Sequence, residues 1–351
     1  MAGIIDLIGN TPMAEIKKLN PNPNVRIFAK LEGNNPGGSV KDRPALNMIR
    51  SALERGDIKT GTKLVEATSG NTGIALAMIA CLYAYDKKYI GLQLYTVRDA
   101  MAKDPAGTLA KVAQIGYNSV EGSGYTNELF YGMDAVTFSK VLKDNGLVML
   151  SSHYRLGEDQ INGQPMKGTL LNDWNKAVDD AAAVGAKYMV CAWLSPTERG
   201  TLDHYQKIAG DLNTAGEICK KAGIQLCYHN HDFEFEKQDG KYPYEMLLIH
   251  SDENLVKMEM DIYWITKANQ DPITIFNQYP GRFPLWHVKD MNNKPDRMFT
   301  EVGNGIIDFK KIFKHANKAG LKYFFVEQDI CPGNPLDSIT QSFTYIKKNL
   351  V

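Results

Sequence analysis

The chain changes its rhythm near residues 82–88, LYAYDKK. From residue 89 onward, short apolar runs alternate with segments whose apolar positions recur at helical spacing. The runs at 89–97, 117–124, 147–154, 186–194, 224–235, 255–264, 283–290 and 322–329 read as strands. Between them, TLAKVAQIG (108–116), MDAVTFSKVLKDNG (133–146), LNDWNKAVDDAAAVG (171–185), KIAGDLNTAGEICKKAG (207–223) and DFKKIFKHANKAG (308–320) read as amphipathic helices. Turns such as NGLV, VGAK, AGIQ and AGLK use glycine to stop a helix before the next strand. This pattern predicts an α/β fold, a closed (β/α)8 TIM barrel. An open doubly wound sheet is the rival, but no Gly-rich phosphate fingerprint follows the first strand.

Before the switch the chain is dense in Gly and Asn, with IGNTP (8–12), GNNPGGSVKDR (33–43) and EATSGNTG (66–73). The sequence therefore divides into a front segment at 1–81, a junction at 82–88 and a barrel at 89–351.

Composition narrows the function classes. Hydrophobic residues make up 44% and charged residues 23%, enough apolar content for a large core. Forty basic residues balance forty acidic ones, so neither nucleic acid nor an anionic membrane is an expected partner. No apolar run reaches bilayer-spanning length, and MAGIIDLIGNTP lacks a basic region followed by an apolar stretch. Cys81, Cys191, Cys219, Cys227 and Cys331 are scattered, without CxxC spacing, which fits free thiols in a reducing compartment. A cytoplasmic protein is expected.

Chemistry in such a barrel belongs at the C-terminal ends of the strands. Those ends carry Glu121, His153, His229 and His231, Glu259 and Asp261, His287, Lys289 and Asp290, and Glu327 and Asp329. Alternation puts His229 and His231, Glu259 and Asp261, and His287 and Lys289 in same-face pairs. Any one of these could be a helix cap or a hydrogen-bonded core group. Gathering them costs desolvation and repulsion unless a cation sits among them, which points to Mn²⁺, Mg²⁺, Co²⁺ or Zn²⁺.

GLQLYTVRDAM (91–101), IGYNSVE (115–121), YHNHDFEF (228–235), MEMDIYW (258–264), WHVKD (286–290), EVGNGIIDF (301–309) and VEQD (326–329) together resemble the xylose-isomerase-like TIM barrels of the sugar phosphate isomerase/epimerase family. The resemblance implies a metal held by Asp261, His287 and Glu327. The fourth position, six residues after Gly223, is glutamate in many relatives and His229 here, so His229 is either a nitrogen ligand or is replaced by water.

A divalent ion chelating neighbouring hydroxyl and carbonyl oxygens acidifies the adjacent carbon-bound proton and stabilises an enediolate. The expected activity is a metal-dependent isomerase or epimerase acting on a sugar or keto-sugar. The alternatives are a metal-dependent lyase or dehydratase on a 3-keto-sugar or inosose, and a non-catalytic sugar-binding barrel. Candidate bases are Glu259, His231 and His153, with Lys289 as an electrophile or orienting cation. Trp193, Tyr263 and Trp264 are candidates for a sugar-stacking wall. A small sugar is the expected partner, and the sequence leaves homo-oligomerisation open.

LIGNTP (7–12), AKLEGNNPGGSVKDRPA (29–45) and EATSGNTGIALAMIA (66–80) resemble the N-terminal part of cysteine synthase, B-type, a PLP enzyme of fold type II. The resemblance implies Lys41 as the Schiff-base lysine and Asn71 beside the PLP ring, with Thr68, Ser69 and Thr72 gripping a substrate carboxylate. PLP-dependent cysteine synthase activity is therefore a further alternative for the chain, an incomplete one because the match stops before that family's remaining half of the cofactor site. The expectation is a truncated α/β segment that leaves PLP chemistry without its enclosing partner, exposes apolar surface and gives the chain a chimeric organisation.

Overall fold

The computed structural model describes residues 4–351 apart from 19, 56, 59–61, 63, 69, 86–88, 158, 159 and 162. Ser69 and the end of the 82–88 junction fall outside the described residues, as does the side chain of Cys81. The chain forms two compact units, Met1–Lys88 and Tyr89–Val351.

The front unit pairs Met13–Glu15 antiparallel with Phe28–Lys30 and carries helices at Asp42–Arg55 and Asn71–Tyr85. Its core is small, built on Ala45, Ile49, Ala75 and Ile79. The second helix, NTGIALAMIACLYAY, is apolar around its whole circumference, a pattern that belongs to a helix covered on all sides. Here Ala75 and Ile79 are buried while Ile74 stays exposed, as do Met13, Phe28, Met48 and Val65. The unit thus presents the apolar surface expected of a segment that carries only part of a larger enzyme's motifs.

In the second unit eight parallel strands close into a barrel: β1 (Gly91–Gln93), β2 (Ser119–Gly122), β3 (Val148–Arg155), β4 (Tyr188–Trp193), β5 (Gln225–His229), β6 (Val256–Asp261), β7 (Leu285–Val288) and β8 (Tyr323–Val326). Each strand is shorter than or offset from its apolar run. Residues 94–97 wind into a 3-10 turn instead of prolonging β1, because the Gln93 side chain caps it by accepting from Tyr95 N. Residues 262–267 form a helix instead of prolonging β6, capped by Asp261, whose side chain accepts from Trp264 N. The expected helix at 308–320 is broken into Phe309–Phe313 and Ala316–Ala319.

Leu150, Val190, Cys227, Leu285 and Phe325 from five strands pack as one apolar cluster. Two residues further along β5, β7 and β8 come His229, His287 and Glu327, so the same inward face turns from apolar to polar toward its C-terminal end. The larger apolar cluster lies between strands and outer helices, with Trp286 stacked on Phe276 at 4.9 Å. Gly91 is required where β1 meets β8, since a Cβ there would stand 2.3 Å from the Phe325 ring. Among the described residues no helix is long and apolar enough to cross a membrane, and Cys191, Cys219, Cys227 and Cys331 are free thiols.

Candidate metal centre in the barrel mouth

Strand register brings the polar residues to common heights. His229 of β5 is paired with Glu259 of β6, Asp261 with His287 of β7, and Gln93 of β1 with Glu121 of β2. Asn230 fixes the β5–β6 edge by accepting from Asp261 N at 3.0 Å and donating to Asp261 O. Beneath it, buried Glu234 accepts from Tyr228 Oη at 2.7 Å and His231 N at 2.8 Å, which holds the HNHDFEF turn. Asp290 receives the backbone N–H groups of Gly303, Gly305 and Ile307. That accounts for the GNG motif: a Cβ on Gly305 would lie 2.2 Å from the Asp290 carboxylate.

His229, Asp261, His287 and Glu327 each offer one ligand atom, all within 4.8 Å of one another, and all four residues are buried. His229 Nε2 lies 3.3 Å from Asp261 Oδ2 and 3.2 Å from His287 Nδ1, and His287 Nδ1 lies 3.7 Å from Asp261 Oδ2. Ligand–ligand edges of about 3.4 Å follow from tetrahedral bonds of roughly 2.1 Å, so these three contacts have the spacing of a first coordination shell. His287 Nδ1 and Glu327 Oε2 are closer, at 2.8 Å. Asp261 spends Oδ1 on the helix cap, while Oδ2 faces His229, His287 and the Lys289 ammonium. Burial, with the charge of neighbouring His287 and His153, pushes His229 down to about 4, leaving its nitrogen bare at neutral pH. The donor set fits a divalent ion with mixed N/O preference.

A second group adjoins the first through the same ring. His287 Nε2 donates to Glu121 Oε2 at 2.6 Å, and His153 Nε2 lies 2.9 Å from Glu259 Oε2 and 3.1 Å from Glu121 Oε2. Burial raises Glu259 to about 7, reinforced by the charge of Glu121. For Glu121 burial also acts upward, but the charges and hydrogen bonds of His153 and His287 outweigh it and hold the carboxyl well below the usual range. Burial would lower His153, yet Glu121 and Glu259 carry it up to about 9.

Lys289 Nζ sits 3.0 Å from Asp261 Oδ2, 2.7 Å from Glu327 Oε2 and 3.1 Å from Asp329 Oδ1. Burial opposes its charge, but these three carboxylates prevail and hold the ammonium well above its ordinary value, so it is a fixed cation and not a base. Burial, with the Lys289 ammonium nearby, keeps His231 neutral.

These groups open into a cavity of about 1190 Å³ lined by His153, His229, His231, Lys289, Glu327 and Asp329 among others. Trp193 and Trp264 line it too, but Tyr263 does not: it is fully buried, stacks on Phe299 at 4.4 Å and donates to Arg297 O. Sequence reasoning passed over Phe233 and Arg199, whose guanidinium lies 3.6 Å over the Phe233 ring in the cavity wall. Gln93 and Asn230 were given no role, and Glu121 was named only as one of the strand-end acids, without its partner His287.

The family model described as xylose isomerase-like TIM barrel matches residues 109–349. The chain belongs to that family. A solved structure of a sugar phosphate isomerase/epimerase from Parabacteroides distasonis is 27% identical, with a TM-score of 0.64, covering 83% of this chain and 98% of its own. A xylose isomerase-like TIM barrel protein from Mycobacterium smegmatis, solved in complex with magnesium, shares the fold at 14% identity, with a TM-score of 0.56 over 76% of this chain and 97% of its own.

The front of this xylose isomerase-like chain has a different relationship. A second family model, pyridoxal-phosphate dependent enzyme, matches residues 4–161, although β1, β2 and β3 within that span belong to the closed barrel. Cysteine synthase B from Salmonella typhimurium is 60% identical over 83 residues, which are 24% of this chain and 27% of that protein. The chain spans 27% to 30% of the length of the cysteine synthases B from Salmonella, Escherichia coli and Pseudomonas aeruginosa. In the front unit Lys41 and Asn71 are both exposed.

Proposed function

We propose that the barrel is a metal-dependent isomerase or epimerase of a sugar or keto-sugar working through an enediolate. The observation that carries this reading is the four-residue N/O set at His229, Asp261, His287 and Glu327, adjoining a buried His153–Glu259 pair at the floor of one cavity. A bound divalent ion would polarise the substrate carbonyl and stabilise the enediolate oxygen charge. The protein's own residues do the rest. His153 faces the cavity with its Nε2 against Glu259 Oε2; the imidazole, carried up to about 9, holds the proton between them, so the ring passes that proton to Glu259 as it takes up the one leaving the substrate carbon. Return of a proton from that side to the neighbouring carbon gives isomerisation, and delivery of a proton to the opposite face of the same carbon by a donor across the cavity gives epimerisation. Lys289 stays cationic and orients the oxygen that gains charge. His231 offers a neutral ring nitrogen to a substrate hydroxyl, and Trp193 and Trp264 provide apolar faces for the sugar ring.

The size of the cavity favours a second reading. At about 1190 Å³ it exceeds the roughly 300–1,000 Å³ typical of small-molecule sites, leaving room for a substituent beyond one sugar ring. A leaving group β to the carbonyl would then be expelled from the same enediolate, making the enzyme a lyase on a 3-keto-sugar.

Incubation of metal-loaded protein with ketoses and 3-keto-glycosides in D₂O, followed by proton NMR, tests both readings. Deuterium entering the carbon beside the carbonyl is the expected result, with loss of the substituent marking the lyase. Metal-replete protein that exchanges no such proton in any keto-sugar overturns the enediolate reading and leaves a binding barrel.

A further inference from the structure

We propose that Glu121 is a positioning residue of this centre, fixing the His287 ring so that Nδ1 is the nitrogen offered to the ion. The inference rests on the reading of His229, Asp261, His287 and Glu327 as the ion-binding set. An imidazole that binds an ion through one nitrogen keeps its proton on the other, and the acceptor of that second N–H decides the tautomer and the ring's orientation. Glu121 Oε2, at 2.6 Å from His287 Nε2, is that acceptor. Both side chains are fully buried, so no water competes for the bond, and turning the ring would break it.

Glu121 is held in its turn. Gln93 Nε2 donates to the same Oε2 at 2.8 Å, and Gln93 Oε1 accepts from Tyr95 N at 3.1 Å. The β1–β2 register places these two side chains opposite each other. A line of hydrogen bonds therefore runs from the backbone after β1, through Gln93 and Glu121, to the ring on β7.

The alternative is a second ion held by Glu121, His153, Glu259 and His287, whose ligand atoms also cluster within 4.8 Å. Their contacts argue for protons instead. Three donors, on Gln93, His153 and His287, converge on a single oxygen at 2.8, 3.1 and 2.6 Å. An oxygen that already accepts from three N–H groups has no lone pair left for an ion. The same oxygen thus ties the ion-binding ring to the ring proposed to move the substrate proton.

Cobalt titration of the full chain tests the assignment, with affinity read by chelator competition and geometry by the visible d–d bands. Wild-type protein should bind one Co²⁺. Glu121→Gln should weaken binding about ten- to a hundredfold and alter the bands, with the metal-free melting midpoint and circular dichroism retained. Glu121→Asp should fall between the two, and Gln93→Ala, which loosens the carboxylate without removing it, should weaken binding by a smaller factor if Glu121→Gln does not fold. His153→Ala should leave the cobalt affinity within about twofold. A folded Glu121→Gln, or failing that Gln93→Ala, with wild-type affinity and bands overturns the role of Glu121 alone. Two Co²⁺ per chain would replace it with the second-ion reading. No cobalt binding by the wild type would sink both this inference and the metal-dependent function.

Discussion

Lys41 and Asn71 sit within contiguous motifs of the front unit, yet both are exposed around a core of a few small aliphatic residues. The barrel's candidate ligands share no contiguous motif. They are drawn from β5, β6, β7 and the end of β8, and converge within 4.8 Å in full burial. A motif is a local property that survives truncation, whereas a site needs the closure that buries it and excludes water. High identity over a quarter of a relative's length therefore says less about activity than a scattered set that topology closes.

The largest effect that could break this contrast is loss of a ligand. Asp261→Ala or Glu327→Ala should lower affinity for a divalent ion by more than the roughly hundredfold that loss of an outer-shell partner can cost. Elemental analysis after gel filtration reads the outcome, and unchanged metal content would break the proposed ligand set.

A core substitution comes next and asks whether the two units melt separately. Trp286 is fully buried, stacked on Phe276 and edge-on to Phe313. Trp286→Ala should cost the barrel about 3–5 kcal/mol, a fall in its melting midpoint of roughly 10 °C. Calorimetry should show the barrel transition move while proteolysis of residues 4–85 keeps its wild-type rate. Equal changes in both would show one cooperative unit in place of two.

Periodicity made the barrel legible because eight strands and their glycine-stopped helices repeat one local rule. Strand ends were less legible. Gln93 and Asp261 terminate β1 and β6 through side-chain caps, and nothing in an apolar run announces a cap in its last position. Same-face pairing was legible for Glu259 and Asp261, both on β6, but His231 and Lys289 lie beyond the ends of β5 and β7. The role of Tyr263 depended on a helix replacing a strand, which turned the side chain toward Phe299. Glu121 was visible as a strand-end acid, but only the ring closure of β1, β2 and β7 around one lumen shows which histidine it holds.

A smaller effect tests the buried support beneath the site by pH. Burial raises Glu234 to about 7 from an ordinary 4.5. A carboxyl raised on folding contributes stability that is complete below about pH 4.5 and is lost as pH rises through 7. The swing is on the order of 3 kcal/mol, taking about 1.4 kcal/mol per unit. Glu234→Gln can still accept from His231 N and donate to Tyr228 Oη, so it should flatten the barrel's stability between pH 5 and pH 8. Denaturant melts at both pH values measure this, and an unchanged slope would assign the pH dependence to other groups.

The smallest expected effect falls on the residue with the most recognisable motif. Lys41 is exposed, and the chain spans only 27% of the cysteine synthase B from Salmonella typhimurium that shares that motif. An imine to PLP persists when the site shields it from water and grips the cofactor's phosphate, and an exposed lysine supplies the amine alone. Lys41→Ala should therefore leave metal content, barrel melting and any keto-sugar proton exchange unchanged within error. With added PLP, borohydride reduction followed by peptide mass spectrometry should label Lys41 no more than the other exposed lysines. Selective, saturable labelling of Lys41 would reverse the comparison, making the front unit a cofactor site in its own right and the short motif as informative as the closed barrel.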